Sequence, residues 1–347
     1  MDYSRGYSAS FYGTFVDPST MRDVERFEII NGSINRTQDE LRQSASLTVS
    51  GSYTDYNDEI IRIYMEAEQE GDRETIPLFT GIASSPDEQY SSGVTSTTLS
   101  CYSLLKIADD IALPIGWYAS AYTNGPEKIR ELLSVLNVDI NIDDLDEEAE
   151  GNTLPSYALD SAIIAEGNET NLSMVEKILT VIDWRLQIEG DGSIYLSSAD
   201  PDSIDVSAII SPEINDVIET NFSRSMDWFD CPNVYRAIYG DYSATARDDD
   251  PDSELSTVSR GREIWMVDDS AALMEDESIG EYAQRRLLEE QIRSEHVSYG
   301  RRFLPEINQG DRIRINYPEL QGDFFVDSQS ISLGFNAKVN ETVSRYI

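Results

Sequence analysis

The 347-residue chain has few residues of the types that most often carry chemistry. It contains one histidine, His296, and two cysteines, Cys101 and Cys231. The cysteines lie far apart, which predicts two buried free thiols and neither a disulfide framework nor a metal pattern. A serine or cysteine nucleophile would have only His296 as its base, and we expect that residue to be solvated near a helix end. Histidine-ligated zinc sites are excluded on the same count.

Long apolar runs are also absent. No stretch approaches the 18 apolar residues that a membrane helix needs, and residues 1–6 lack the apolar core of a signal peptide. We therefore expect neither a membrane partner nor secretion.

Lysine is scarce, whereas acid is abundant. Four lysines and 22 arginines stand against 65 Asp and Glu residues, giving a net charge of −39. Salt near 1 M shortens the Debye length to about 3 Å and screens such repulsion, so this composition indicates a protein adapted to high salt. The alternative is an acidic protein with no such adaptation. Either surface repels phosphate, which argues against sequence-specific nucleic-acid binding.

Alternating apolar and polar residues predict a β-rich first third. The dipeptide Asn31-Gly32 predicts a hairpin between Phe27–Ile30 and Ser33–Ile34. Further strands are expected at 45–49, 61–65, 76–82 and 94–101, followed by a short helix at 103–108. This pattern is typical of a small barrel with a helix across it.

The remaining two thirds mix helices and strands. We expect a helix from Pro126, a second helix from the capping box Ser173-x-x-Glu176, and a hairpin whose turn is Gly190-Asp191-Gly192-Ser193. Further on, strands are expected at 234–239 and 263–267, with an acidic loop at 245–259 between them. A helix should follow the capping box Ser278-x-x-Glu281, and a meander with a bulge at 327–329 should close the chain.

Candidate sites for chemistry are weak. Asp139, Asn141, Asp143 and Glu150 approach an EF-hand pattern, but Asp144 stands where glycine is required, so a surface loop is the favoured interpretation and opportunistic divalent-ion binding there is the weaker alternative. The Gly190–Gly192 cluster lacks the Lys-Ser/Thr of a phosphate-binding loop. Paired carboxylates for glycoside cleavage are formally present among 65 acids, but none is distinguished by an apolar neighbourhood. The sequence therefore predicts no catalytic, cofactor or dedicated metal site.

Several segments in order resemble the baseplate hub or tail-tip hub family of tailed viruses. These are 27–49 with its polar crossover 36–42, 78–81 followed by 99–105, the helix at Pro126, the segments 172–186 and 190–196, 233–240, the helix at Ser278, and the meander 310–335. The positions that carry the resemblance most clearly are Phe79, Gly81, Trp184, Gly190, Asp191, Gly192, Gly310 and Gly322. The acidic stretch at Asp248 departs from the family pattern.

The resemblance implies an α+β, β-rich fold with two tail-tube-like β-barrel domains, 1–112 and 216–347, flanking an inserted α/β domain, 113–215. The likeness of 27–108 to 234–347 would let three chains form a ring with pseudo-sixfold symmetry, outside which the insertion would lie. The implied role is structural, without a cofactor: a trimeric hub in the virion, made in the host cytoplasm. Its partners would be a tail tube or distal tail protein, tip or fibre proteins, a tape measure protein and passing DNA.

We expect no wall-degrading module beyond Ile347, and on that expectation the resemblance does not imply an enzyme. Two alternatives stay open: a wall-degrading glycosidase or peptidase of the tail tip, and a calcium-binding adhesin or receptor-binding protein. The high-salt composition favours a tailed virus of a halophilic archaeon over a bacteriophage.

Overall fold

The computed structural model describes residues 1–3, 5–52, 56–91, 94–143, 157–159, 161–165, 167–200, 203–214, 217–226, 229–269, 271, 273, 277–292, 295–334 and 337–346. Over these residues the protein is β-rich with few helices, and one large, mainly antiparallel sheet of twelve strands dominates it. None of the helices described there is long and apolar enough to cross a membrane.

The strands are β1 Ser8–Asp17, β2 Arg22–Arg36, β3 Gln43–Ser50, β4 Ile60–Gln69, β5 Asp72–Ser91, β6 Val94–Ser103, β7 Tyr118–Ala119, β8 Ile140–Ile142, β9 Ile163–Ile164, β10 Trp184–Ile188, β11 Ile194–Ser198, β12 Val206–Ile210, β13 Ile218–Met226, β14 Val234–Tyr239, β15 Tyr242–Arg247, β16 Trp265–Asp268, β17 Glu295–Arg302, β18 Arg312–Tyr317, β19 Leu320–Ser332 and β20 Lys338–Tyr346. The helices are α1 Leu105–Asp109, α2 Gly125–Leu133, α3 Asn171–Ile182, α4 Thr257–Arg260 and α5 Ile279–Ile292, and a 3-10 turn spans Ser134–Leu136.

The first six strands close into a ring. Strand β1 pairs with both β2 and β4, so the order β1-β4-β5-β6-β3-β2 returns to β1. The hairpin expected at Asn31-Gly32 is wrong, because β2 runs straight through it. Gly32 instead allows a close approach to β3, since a Cβ there would collide with the Ser46 carbonyl oxygen. A bulge between Ile29 and Asn31 takes up the local irregularity.

Strand β19 joins this ring to the rest of the large sheet. Its last four residues pair with β2, and its first six pair with β18. On its other side β20 runs alongside it, followed by β17 and β13. The register shifts between Val326 and Ser328, which confirms the bulge expected near Asp327.

Helices α1 to α3 and the small sheet β10-β11-β8 cover one side of the ring, sharing a core with Val16 and Leu104. Helix α2 starts at the expected place, with Asn124 as its N-cap. The start expected for α3 is wrong by three residues. Thr170 and Ser173 form the reciprocal cap, because Glu176 is engaged by Arg42 at 2.9 Å and does not reach back to the helix start.

Residues 229–292 contain a separate three-stranded sheet, β15-β14-β16, against which α5 packs. Strand β14 therefore does not lie in the large sheet. Strand β15 was missed, since only the small Ala244 and Ala246 face the helix side and the apolar signal is weak. The capping box of α5 is confirmed, with the Glu281 carboxylate accepting from the Ser278 backbone N–H at 2.9 Å.

Candidate functional site

A polar groove of about 640 Å³ lies on the outward face of the large sheet where β2, β19, β20, β17 and β13 run side by side. Alternation along each strand turns apolar residues such as Ile34, Ile331 and Val339 inward. The outward residues form two cross-strand rows of hydroxyls and amides. One row is Asn35, Ser330 and Asn340, which ends beside Gly300, and the other is Ser328, Thr342, Ser298 and Ser223.

The groove is nearly neutral although the chain is not. Its charged lining residues are Glu219, Lys338 and Glu341. Lys338 Nζ lies 2.8 Å from Glu219 Oε2, and the Glu341 carboxylate is paired below the surface with Arg301. In a protein of net charge −39, this face is therefore lined mostly by uncharged residues and carries little net charge.

A buried ion pair supports the floor of the groove. Arg301 Nη2 and Nε lie 2.6 and 2.9 Å from the two Glu341 oxygens, and neither side chain is exposed. Tyr299 and Gln329 also donate to this carboxylate, at 2.5 and 2.8 Å. Burial opposes ionisation of Glu341, but Arg301 and these donors outweigh it and hold the pKa of Glu341 below its usual value.

The buried network continues into the first ring through Arg36. Its guanidinium donates to Gln329 Oε1 at 3.4 Å, to the Leu78 carbonyl at 3.0 Å and to the Asn308 side chain. Burial lowers the pKa of Arg36 to about 10. Asn308 in turn donates to Glu189, at the start of the β10–β11 turn, at 3.0 Å. Side chains thus link the ring, the second half of the sheet and the helical layer.

The turn 190–193 docks on the ring. Thr80 Oγ1 donates to the Gly190 carbonyl at 2.9 Å, and Arg62 Nη2 donates to the Asp191 carbonyl at 3.1 Å. A Cβ at Gly190 would collide with the Pro77 carbonyl, and Gly192 has φ +92°. These residues form the expected hairpin turn, and their carbonyls are engaged by the ring.

The other positions that carried the resemblance serve packing and turns. Phe79 is fully buried on β5 and lies against Gly81. Trp184 packs edge-on against Tyr157, with ring centroids 6.4 Å apart. Gly310 and Gly322 both have positive φ. None of these residues lines the polar groove.

The candidate metal residues do not converge. The expectation of a surface loop is wrong for the first residues of this segment, because Ile140–Ile142 forms strand β8, which pairs with β11. Asp139, Asn141 and Asp143 therefore occupy every second position of an extended segment. Their successive Cα atoms are about 7 Å apart, so the three side chains do not surround one ion. Glu150 lies outside the described residues. Within the described part of the chain, no group of three or more His, Cys, Asp or Glu side chains could hold a metal ion.

His296 has a partner that the sequence did not reveal. It lies in β17, with Nδ1 3.1 Å from Asp327 Oδ2, and Ser344 Oγ donates to the other oxygen of Asp327 at 2.8 Å. The expectation of a solvated residue near a helix end is met in part, because the side chain is 40% exposed and β17 begins soon after α5 ends, but the pairing with Asp327 was not expected. The carboxylate stands between serine and histidine, whereas a serine nucleophile needs the histidine in that place. This arrangement leaves Ser344 without a base.

The sequence did carry one unused signal for the buried pair. Glu341 sits between Val339 and Val343 at an inward-facing strand position, and Arg301 has the same parity as Val297. Ionisable residues at such positions are buried with a partner or not buried at all. Which strand supplies the partner depends on the sheet order, and alternation does not give that order.

Comparison with known proteins finds similar structures but no similar sequence. No family model and no curated protein sequence matches the chain. A tail protein from Neisseria meningitidis MC58 superposes with a TM-score of 0.68 at 15% identity, over 98% of this chain and 97% of that one. The 43 kDa tail protein of prophage MuSo2 from Shewanella oneidensis gives 0.67 at 13% identity, over 97% and 98%. A chain of the lidded Francisella PdpA–VgrG complex gives 0.60 at 10% identity, over all of this chain and 54% of that chain. At these identities the likeness is one of fold, and at that level the resemblance to tail proteins is confirmed.

Proposed function

We propose that this chain, which has the fold of prophage tail proteins, is a structural virion protein at the tip of a viral tail. It would form a trimeric baseplate or tail-tip hub, joining the tail tube or distal tail protein to the tip. Tape measure and tip or fibre proteins would be its other neighbours. The domains would be two barrels, 1–112 and 216–347, flanking an insertion, 113–215, with the unit 229–292 built into the second barrel domain.

The neutral groove is the observation that carries the proposal. One row of the groove runs from Asn35 on β2 of the first ring to β17, and the other runs from β19 to β13, so one polar face spans both halves of the chain. A face that lines a DNA channel must neither hold phosphates with cations nor repel them strongly. In a strongly acidic protein a neutral face meets that requirement. We therefore assign this face to the lumen of the ring that the three chains of the trimer would form.

A structural role also accounts for the buried Arg301–Glu341 network. Arg301, Tyr299 and Gln329 all hydrogen-bond to the Glu341 carboxylate and hold its pKa below its usual value, the opposite of what a general acid requires. The protein would be made in the host cytoplasm and carried in the virion. Its acidity fits a host that lives in high salt, such as a halophilic archaeon.

Mass measurement and imaging at high salt test the proposal. In about 2 M KCl, where the Debye length is under about 3 Å, we expect a particle of three 39.0 kDa chains. Its density map should place the row Asn35–Ser330–Asn340 on the inner wall. A stable monomer in this buffer would overturn the hub. A trimer with this row on its outer surface would overturn the channel assignment and leave the ring in place.

A further inference from the structure

Strand β16 is an exposed apolar edge. Its first three residues, Trp265, Met266 and Val267, are 43, 38 and 56% exposed. The Val234 N–H on β14 donates to the Ile264 carbonyl at 3.1 Å, so alternation in a parallel ladder turns the N–H and C=O of Trp265 and Val267 away from β14. No described strand pairs with that outer edge. Exposed apolar edges of this kind invite strand pairing and are normally protected or used in assembly.

Strand β15 forms the opposite edge of the same sheet. It runs antiparallel to β14, whereas β16 runs parallel to it. A second copy placed head to tail would therefore bring its β15 antiparallel to β16, the arrangement that local pairing favours. Thr245 and Val267 both pair with Arg236 and so lie on one face, which an added strand would continue.

Charge complementarity favours a second copy as the occupant. Strand β15 contains no carboxylate and ends at Arg247, although the chain has 65 acidic residues. Antiparallel pairing would place Arg247 of one copy beside Glu263, just before β16 of the next. Arg247 already reaches Glu263 of its own chain at 2.7 Å, and Arg236 lies over the Trp265 ring at 4.9 Å. Glu263 and Trp265 at this edge thus already contact arginine side chains within one chain.

We infer that β16 of one copy pairs with β15 of the next, so that the three-stranded sheets of the unit 229–292 join around the ring. The contact is heterologous, and repeating it closes a ring when the rotation per copy allows. This inference rests on the proposed trimer and adds to it an outer belt of shared β-sheet. In the assembled particle, β15 of the next copy would cover the exposed apolar edge of β16.

Disulfide trapping tests the inference. Val267→Cys is combined in turn with Ser243→Cys, Thr245→Cys and Arg247→Cys, which share the solvent face and sample the three registers. Within one chain β14 separates the two strands by roughly 9–10 Å, beyond the reach of about 7 Å between Cα atoms that a disulfide allows. Any bridge must therefore join two copies. The native Cys101 and Cys231 are buried.

Oxidation in high salt should give covalent species of two and three chains with at least one pair, and nothing larger. The control pair Val258→Cys with Thr245→Cys, in the same unit but away from the β16 edge, should stay monomeric on the gel. A trimer by mass with no bridge from any of the three pairs would overturn the inference and leave the hub. A dimer from Val267→Cys alone would show β16 paired with itself, and a longer ladder would show an open chain; either overturns it. A monomer by mass would remove the proposed function as well.

Discussion

The guanidinium of Arg301 meets the carboxylate of Glu341 through two hydrogen bonds, and neither side chain has any exposed surface. Two charges withdrawn from water repay their desolvation only when paired in good geometry and further hydrogen-bonded. Tyr299 and Gln329 supply the further bonds. The pair therefore connects β17 to β20, and neither charge is stable in the core without the other.

Removing one charge of the Arg301–Glu341 pair should destabilise the protein strongly. Glu341→Gln leaves the Arg301 charge buried and unpaired, and we expect it to lower the free energy of unfolding by about 3–5 kcal/mol. The matched control is Glu219→Gln, which breaks the exposed pair with Lys338 and should cost less than about 1 kcal/mol. Denaturant unfolding in high salt measures both. An equal loss of stability in the two variants would contradict the distinction between the buried and the exposed ion pair.

Acid should weaken the hairpin of β18 and β19 within a defined pH range. Hydrogen bonds from Arg314 and Arg312 lower the pKa of Asp323 to about 2. Because this is below the unfolded value of about 3.9, Asp323 stabilises the fold above that value and loses its contribution as the pH falls to about 2.

The variant Asp323→Asn isolates this effect. It should be less stable than the parent at neutral pH, and the difference should vanish as the pH approaches about 2. Denaturant titrations at a series of pH values give the two curves. The exposed Asp139→Asn serves as the control and should shift stability little at any pH. A difference between parent and Asp323→Asn that persists unchanged in acid would refute the assignment.

Salt should stabilise the protein. With 65 acidic residues against 26 basic ones, repulsion grows as the Debye length rises from about 3 Å at 1 M to about 30 Å at 0.01 M. We expect the melting temperature to fall steadily over that range of KCl. Sucrose at matched osmolality should restore only part of the loss, since it screens no charge. A flat salt curve would contradict the adaptation to salt while leaving the hub proposal untouched.

The docked turn offers a test of the contact between layers. At Gly190→Ala the new methyl group meets the Pro77 carbonyl, and we expect a loss of about 1–3 kcal/mol from overpacking. Gly167→Ala, where a Cβ meets nothing within 4 Å, should be nearly neutral. Thermal unfolding of the two variants side by side gives the comparison, and similar melting temperatures would argue against a tight contact.

Local patterns predicted the elements whose signals are local. Alternation located β3, β4 and the strands of the closing meander, and the Ser278–Glu281 box located α5. The Asn31-Gly32 dipeptide misled because β2 is paired with β1, β3 and β19, and those hydrogen bonds outweigh a turn preference. Strand β15 escaped notice because its inward residues are alanines.

The groove and the network below it depended on information that is not local. Each row of the groove involves four strands, and apart from the consecutive strands β19 and β20 these are far apart in sequence. The inward parity of Glu341 was visible, but its pairing with Arg301 required the neighbour relation of β17 and β20. The same holds for His296 and Asp327.

Strand β19 gives the molecule a defined path for mechanical load. One continuous backbone, Leu320–Ser332, is held by β18 and β20 at one end and by β2 and β20 at the other. Ladder hydrogen bonds in antiparallel pairs run perpendicular to the strands. Tension along β19 therefore loads these bonds in shear, and many must fail together before the two halves slide apart. Tension across the sheet would instead peel them one at a time, so resistance to pulling should depend on direction.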